Sequence, residues 1–155
     1  MRTIFEPDFE DLIRIFNQYK VRFVLVGGLA VVFHGHFRTT KDMDLFYEAT
    51  LENVNNIKAA LKEFGFGFLN LTTEDLMDKK GYVQLGREPA RIDMFCDLPG
   101  ITFEEVWNSA VLYQEEQLEM KVIHINHLIQ NKEAVGRPQD IDDVRKLKKI
   151  MNKRK

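Results

Sequence analysis

The stretch Val26 to Asp44, VGGLAVVFHGHFRTTKDMD, constrains this chain more than any other. It joins two short apolar runs, Phe23-Val24-Leu25-Val26 and Leu45-Phe46-Tyr47, whose residues suit buried strands. Gly27 and Gly28 follow the first run directly and precede Leu29 to Phe33, an apolar segment of about two helical turns. A strand, a glycine turn and a helix start leave backbone N–H groups pointing outward where the helix dipole favours negative charge, which suits a phosphate. The plainer alternative is a tight turn followed by a solvated strand start. Asp42 and Asp44 open the second strand, and alternation puts both on one face about 7 Å apart, with Met43 and Leu45 turned away. Two carboxylates that close repel, and a divalent ion shared with substrate phosphate oxygens relieves the repulsion.

The link before Asp42 carries Arg38, Thr39, Thr40 and Lys41, all hydrogen-bond donors. Such a set fits triphosphate oxygens, and equally fits a solvated loop in which Arg38 or Lys41 pairs with Asp42. Further on, Tyr82 to Leu85 and Ile92 to Phe95 read as two strands of a hairpin-like unit. Asp93 lies among Ile92, Met94, Phe95 and Cys96, where a carboxylate is costly unless Arg91 or a metal pairs with it. Alternation groups Arg91, Asp93 and Phe95 on one face. If this strand neighbours the Asp42 strand, three carboxylates converge, as metal-assisted phosphoryl transfer requires.

The remaining elements follow from periodicity and punctuation. Apolar positions from Phe9 to Tyr19 recur at helical spacing, with Pro7 and Asp8 suited to a first turn. Thr50 caps a helix over Leu51 to Phe64 that Gly65 ends. A short strand is expected at Phe66 to Asn70 and a helical turn within Thr72 to Lys80. Thr102 to Ala110 reads as a capped helix, and Gln117 to Ile125 as a strand pair or bent strand. Asn126 is expected to cap a helix closed by Gly136, and Pro138 opens a last helix to about Met151. Repeated βα pairs define an α/β protein. Length predicts a single domain over residues 1–155, with a core at 21–96 and a helical C-terminal part at 101–155.

Cys96 reads as a small buried residue, and the pairs His34/His36 and His124/His127 lack companions at zinc-ligand spacing, so they read as structural or solvated. No apolar run approaches the ~20 residues of a membrane span, residues 1–11 lack a signal-peptide core, and one cysteine suits a reducing compartment, so a cytoplasmic protein with no membrane partner is expected. A net charge of −2 excludes whole-surface attraction to nucleic acid while leaving room for a local basic groove.

A strand ending in VGG, a short helix, RTTKDMDL and a later RIDMF strand resemble the polymerase-β-type nucleotidyltransferase superfamily. The GG form and the R-T-x-D-x-D approach resemble its minimal members, including abortive-infection-type toxin nucleotidyltransferases. The tail LIQNKEAVGRPQDIDDVRKL resembles the C-terminal motif of the same group, matched by Lys132, Arg137, Asp140 and Asp143. One departure is Gly28 where many minimal members carry serine, which removes a hydroxyl from the phosphate site. The resemblance implies a central mixed twisted sheet flanked by helices, a C-terminal helix pair, and Asp42, Asp44 and Asp93 on one side of the sheet with helices on the other. It implies transfer of a nucleoside monophosphate from an NTP such as ATP to an acceptor hydroxyl, with Mg²⁺ or Mn²⁺ held by the three aspartates. Gly27, Gly28, Arg38, Thr40, Lys41, Lys132 and Arg137 would bind nucleotide, supported by Asp140 and Asp143. The implied acceptor is RNA, tRNA or a protein, with a toxin–antitoxin role and a cognate antitoxin. Residue chemistry alone leaves two alternatives open: an Arg137–Asp140 clasp that only holds the last helix, and a non-catalytic regulator that keeps the fold to bind nucleotide or a partner. The cations Arg38, Lys41, Lys132, Arg137 and the Lys146 to Lys155 end are the available RNA contacts.

Overall fold

The computed structural model describes residues 7–87 and 90–154; the side chains of Pro7 and Asp8, and Lys155 at the basic end, lie outside what it describes. Six strands form one mixed sheet: β1 (Phe23–Val26), β2 (Asp42–Tyr47), β3 (Val83–Leu85), β4 (Arg91–Phe95), β5 (Val111–Glu115) and β6 (Leu118–Val122). Their order is β3-β4-β2-β1-β6-β5. The β2–β4 and β1–β6 pairs are parallel, and the others antiparallel. Among the described residues seven α-helices flank it: α1 (Pro7–Gln18), α2 (Gly27–Phe33), α3 (Leu51–Phe64), α4 (Thr73–Met77), α5 (Phe103–Ser109), α6 (Ile125–Val135) and α7 (Pro138–Arg154). The expected α/β architecture, with its closing helix pair α6–α7, is what the chain adopts.

The centre of the sheet is apolar on both faces except at the aspartates. β1 is buried throughout, and in β2 Met43, Leu45, Phe46 and Tyr47 are buried while Asp42 and Asp44 keep partial access. α1 closes part of the sheet by packing on α3 and β6, and α2 packs on β1 and β2. α3 runs as its sequence predicts: Thr50 accepts from the Asn53 N–H at its start, and Gly65 ends it in the left-handed region at φ 103°. Such a cap is worth about 1 kcal/mol.

Three expectations are corrected. Phe66 to Asn70 is not a strand; Gly67–Leu69 is a 3-10 turn that ends on a left-handed Asn70, and Phe68 is 72% exposed. With Gly65 and Gly67 around Phe66, the backbone doubles back, and an aromatic run alone cannot form a ladder without a neighbouring strand. The cap of α6 is His124, whose Nδ1 accepts from the Asn126 N–H, so the helix starts one residue before Asn126. The region 101–155 is not helical throughout, since it supplies β5 and β6, and β6 pairs with β1 in the middle of the sheet.

Candidate active site

The β2–β4 ladder sets Asp44 directly opposite Asp93 and Asp42 opposite Arg91. Neighbouring strands lie about 4.8 Å apart, so this register gathers the three aspartates on one side of the sheet. Arg91 lies between two of them: its Nη2 donates to Asp42 Oδ2 at 2.7 Å and to Asp93 Oδ2 at 3.1 Å. The other oxygens, Asp42 Oδ1 and Asp93 Oδ1, are buried without a hydrogen-bond partner, as is Arg91 Nε. Asp93 is only 5% exposed. Burial and the neighbouring Asp93 and Asp42 charges push the Asp44 carboxyl up to about 6, against the opposing pull of Lys132 and Arg91. Burial also raises Asp93, though its bond to Arg91 works the other way.

Gly27 and Gly28 are the first two residues of α2 rather than a turn before it. Gly27 has φ +69°, and a Cβ there would fall 2.1 Å from Asp44 Oδ2, so the missing side chain is what lets the carboxylate lie against the helix start. A Cβ on Gly28 would meet Thr40 Oγ1 at 2.5 Å and Arg38 Nη2 at 3.2 Å. Thr40 therefore occupies the space that a side chain at position 28 would need.

Arg38 does not pair with Asp42. It makes a two-bond fork to Asp143, Nε to Oδ1 and Nη2 to Oδ2, both 2.9 Å. Asp143 is fully buried and also takes Lys132 Nζ at 2.9 Å and Gln139 Nε2 at 3.2 Å. Lys132 further donates to Asp140 Oδ1 at 3.2 Å, and Arg137 closes on Asp140 through Nε at 2.7 Å. The Arg137–Asp140 clasp is thus formed, inside a larger network that ties the link before β2 to α6 and α7. Burial opposes ionisation of Asp140 and Asp143, but their bonds to Arg137, Lys132 and Arg38 outweigh it and hold both below the usual carboxylate range. No local spacing signals the Arg38–Asp143 pair, whose members are 105 positions apart.

The helices do not all keep to the face opposite the aspartates. A cleft of about 340 Å³ runs from Gly27 and Asp44 to Lys132 and Arg137, and its outer wall carries Lys79, Lys80 and Tyr82. Tyr82 stacks on Phe95, centroids 5.3 Å apart. A separate hollow of about 390 Å³ between α3 and Leu71 contains none of the aspartates. The histidines have local partners: buried His34 donates from Nε2 to the Ile123 carbonyl, and His127 Nδ1 bonds Ser109 Oγ. His36, Asp142 and Asp143 bring ligand atoms within 4.8 Å of one another, the one such trio among the described residues. Asp143 there is already saturated by three donors. Cys96 is a free buried thiol, pushed up by burial. No helix among the described residues is long and apolar enough to cross a membrane.

A mixed sheet with a glycine pair at the end of one strand, two aspartates on the next and a third across the ladder is the arrangement expected of a nucleotidyltransferase. The chain belongs to the family DUF2204, described as nucleotidyl transferase of unknown function, whose model matches residues 7–155. Among solved structures it is similar to the lincosamide antibiotic adenylyltransferase LnuA in its lincomycin-bound form. The TM-score is 0.57 at 16% identity, over 96% of this chain and 99% of that one. No curated protein matches the sequence. The protein is a nucleotidyltransferase enzyme by family, and the structural neighbour carries the same fold.

Proposed function

We propose that the enzyme transfers a nucleoside monophosphate from an NTP to an acceptor hydroxyl with Mg²⁺ or Mn²⁺, releasing pyrophosphate. The observation that carries this reading is the convergence of Asp42, Asp44 and Asp93 on one sheet side, with two buried carboxylate oxygens left without partners. Buried acceptors without donors are what a cation would satisfy, so the donor set suits a hard divalent ion. Such an ion, when bound, neutralises charge on the triphosphate and steadies the leaving pyrophosphate. Asp42 and Asp44 would hold it, and Asp93 would serve as a further ligand or take the acceptor proton. The acceptor oxygen bonds to the α-phosphorus as the bridge to the β-phosphate breaks, and the electron pair leaves with pyrophosphate. Gly27, Gly28, Thr40 and Lys41 position the triphosphate, with Lys132 and Arg137 at its far side and Asp140 and Asp143 holding those two cations in place. Arg38 acts through Asp143.

ATP is the first donor to test, because the structural neighbour is an adenylyltransferase. For the acceptor we favour RNA, tRNA in particular, over a protein hydroxyl, because the outer cleft wall offers Lys79, Lys80 and an exposed aromatic platform at Tyr82. A toxin role with a cognate antitoxin follows only if cellular tRNA is the acceptor. The second reading, a regulator that binds nucleotide without transferring it, has one observation in its favour: Arg91 already bridges Asp42 and Asp93, so that pair needs no ion to be stable. Incubation with each of four α-labelled NTPs, cellular RNA and the protein itself decides between them. Label in RNA or protein that Asp42→Ala abolishes supports the enzyme reading. NTP binding without any label transfer overturns it in favour of the regulator.

A further inference from the structure

Of the arginine–carboxylate arrangements near this site, those of Arg38 and Arg91 differ in kind. Arg38 meets Asp143 as a fork, two parallel bonds of 2.9 Å, with the carboxylate fully buried. That is how a guanidinium locks a structure. Arg91 uses a single nitrogen, Nη2, shared between Asp42 and Asp93, and leaves its own buried Nε and one oxygen of each carboxylate without a partner. Its side chain stays 31% exposed, beside an Asp93 side chain of 8%. A positive group thus sits between two carboxylates without using their full capacity to accept.

We infer that Arg91 is a resident counter-cation: it stands between Asp42 and Asp93 where a divalent ion would bind, and must be displaced for the ion to enter. The inference rests on the metal-dependent reading above. Backbone register explains how the residue reaches that place, since Arg91 lies two positions before Asp93 on the same strand face and directly opposite Asp42. Without a cation the paired carboxylates would repel, and with a permanent one the site would bind metal weakly. A singly bonded arginine is the intermediate solution. It holds the two carboxylates together, and it yields to a group of higher charge. Arg91 is on this view a positioning residue that sets the affinity of the site for metal.

The test is Mn²⁺ binding to the full-length protein, followed by electron paramagnetic resonance at a fixed, mildly alkaline pH. Removing the positive charge that stands between the two carboxylates predicts roughly tenfold tighter binding for Arg91→Gln. A structural role alone would lower thermal stability and leave Mn²⁺ affinity unchanged or weaker. Equal or weaker affinity in an Arg91→Gln protein with native circular dichroism therefore overturns the inference. Should that variant not fold, the wild-type protein decides. Mg²⁺ titration should move the Arg91 Nε–H resonance in a ¹⁵N correlation spectrum, and a resonance that stays fixed while Mg²⁺ binds overturns the inference. The metal-dependent reading fails separately: wild-type protein that binds no Mn²⁺ at millimolar concentration, with or without NTP, overturns both.

Discussion

Asp44 and Asp93 face each other across the β2–β4 ladder, and the oxygen Asp44 Oδ2 lies so close to Gly27 that no side chain fits there. The acid at the centre of the site is thereby enclosed on one side by another acid and on the other by backbone. Its carboxyl is raised to about 6. Below the ordinary carboxyl value, folded and unfolded chains both hold the proton and the group is neutral to stability. Between there and about 6 the unfolded chain releases a proton that the folded chain keeps, so folding loses stability as pH rises, and the loss is constant above about 6. The upper bound on that loss is about 3 kcal/mol. Asp44→Asn should therefore be progressively more stable than wild type as pH rises from about 4, reaching a plateau above about 6, with divalent-dependent NTP binding lost. Thermal denaturation across that range checks it; a stability difference that does not change with pH would count against the raised carboxyl.

The same titration predicts how metal acts on the folded protein. A divalent ion needs the ionised carboxylate, so Mg²⁺ should raise the melting temperature at pH values above about 6 and have little effect below. Transfer activity should rise over the same interval. Differential scanning fluorimetry with and without chelator reads the first, and labelled NTP turnover the second. A melting-temperature gain of equal size at low and high pH would place the ion elsewhere.

The network at the α6–α7 joint separates anchoring from exposure. Asp143→Ala leaves Lys132 and Arg38 without their shared buried partner and should cost about 3–5 kcal/mol. Arg137, with its side chain 71% exposed, should cost under about 1 kcal/mol when replaced by alanine. If Arg137→Ala nevertheless lowers transfer tenfold or more, the side chain serves the phosphate rather than the last helix. Urea denaturation and steady-state turnover on the same two variants make the comparison. Acid acts on this joint in the opposite sense to Asp44: Asp140 and Asp143 are held below the usual carboxylate range, so their contribution is present at neutral pH and lost as pH falls through their lowered values.

Much of this site is legible in the sequence because its parts are local. The glycine pair, the D-x-D alternation and the Arg91–Asp93 spacing each follow from strand or helix period within a few residues. The β2–β4 register was not readable, yet once Asp42 and Asp93 were placed on strand faces the convergence needed only that the two strands be neighbours. What the sequence hid is of two kinds. Arg38 had an acid four residues away at Asp42, and its fork to Asp143 became available only when α7 folded back. β5 was missed because Val111 to Glu115 alternates between half-buried and exposed, as an edge strand does, and has no continuous apolar run. Phe66 to Asn70 misled for the converse reason, since its aromatics pack on one another with no strand beside them.

The two glycines should respond differently to alanine. At Gly27 the backbone is left-handed and the added carbon collides with the Asp44 carboxylate, so Gly27→Ala should both destabilise by roughly 1–3 kcal/mol and abolish transfer. Gly28 has no such backbone restriction, and its collisions are with side chains alone, the Thr40 hydroxyl at 2.5 Å, which can rotate, and the smaller overlaps with Thr40 Cβ at 3.0 Å and Arg38 Nη2 at 3.2 Å. Gly28→Ala should cost less, and Thr40→Ser in the same chain should recover part of the loss by removing a methyl. Melting temperatures of the three variants against wild type measure this; equal losses at both glycines would mean that the carboxylate contact is not what constrains position 27.

An RNA acceptor requires positive charge that is free to meet phosphates. Arg38 and Lys132 are held by the buried Asp143 and Asp140, and Arg154 donates to the His34 carbonyl, so these members of the expected basic patch are engaged within the fold, whereas Arg137 and Lys148 pair with Asp140 and Glu133 but keep exposed side chains. Lys79 and Lys80 line the cleft that opens from Asp44, next to the exposed ring of Tyr82. A single-stranded RNA end held there would stack a base on Tyr82 and place phosphates beside the two lysines, and each such contact adds a log–log salt slope of magnitude roughly 0.7. Replacing both lysines by glutamate should thus weaken tRNA binding steeply and reduce the slope by about 1.4, while NTP binding in the presence of Mg²⁺ changes little. Tyr82→Ala should weaken RNA binding at every salt concentration without altering the slope, because stacking releases no counterions. Fluorescence anisotropy with labelled tRNA over a salt series reads both effects. Binding that is absent at low salt, or indifferent to all three substitutions, would turn the search toward an acceptor on a protein or small molecule.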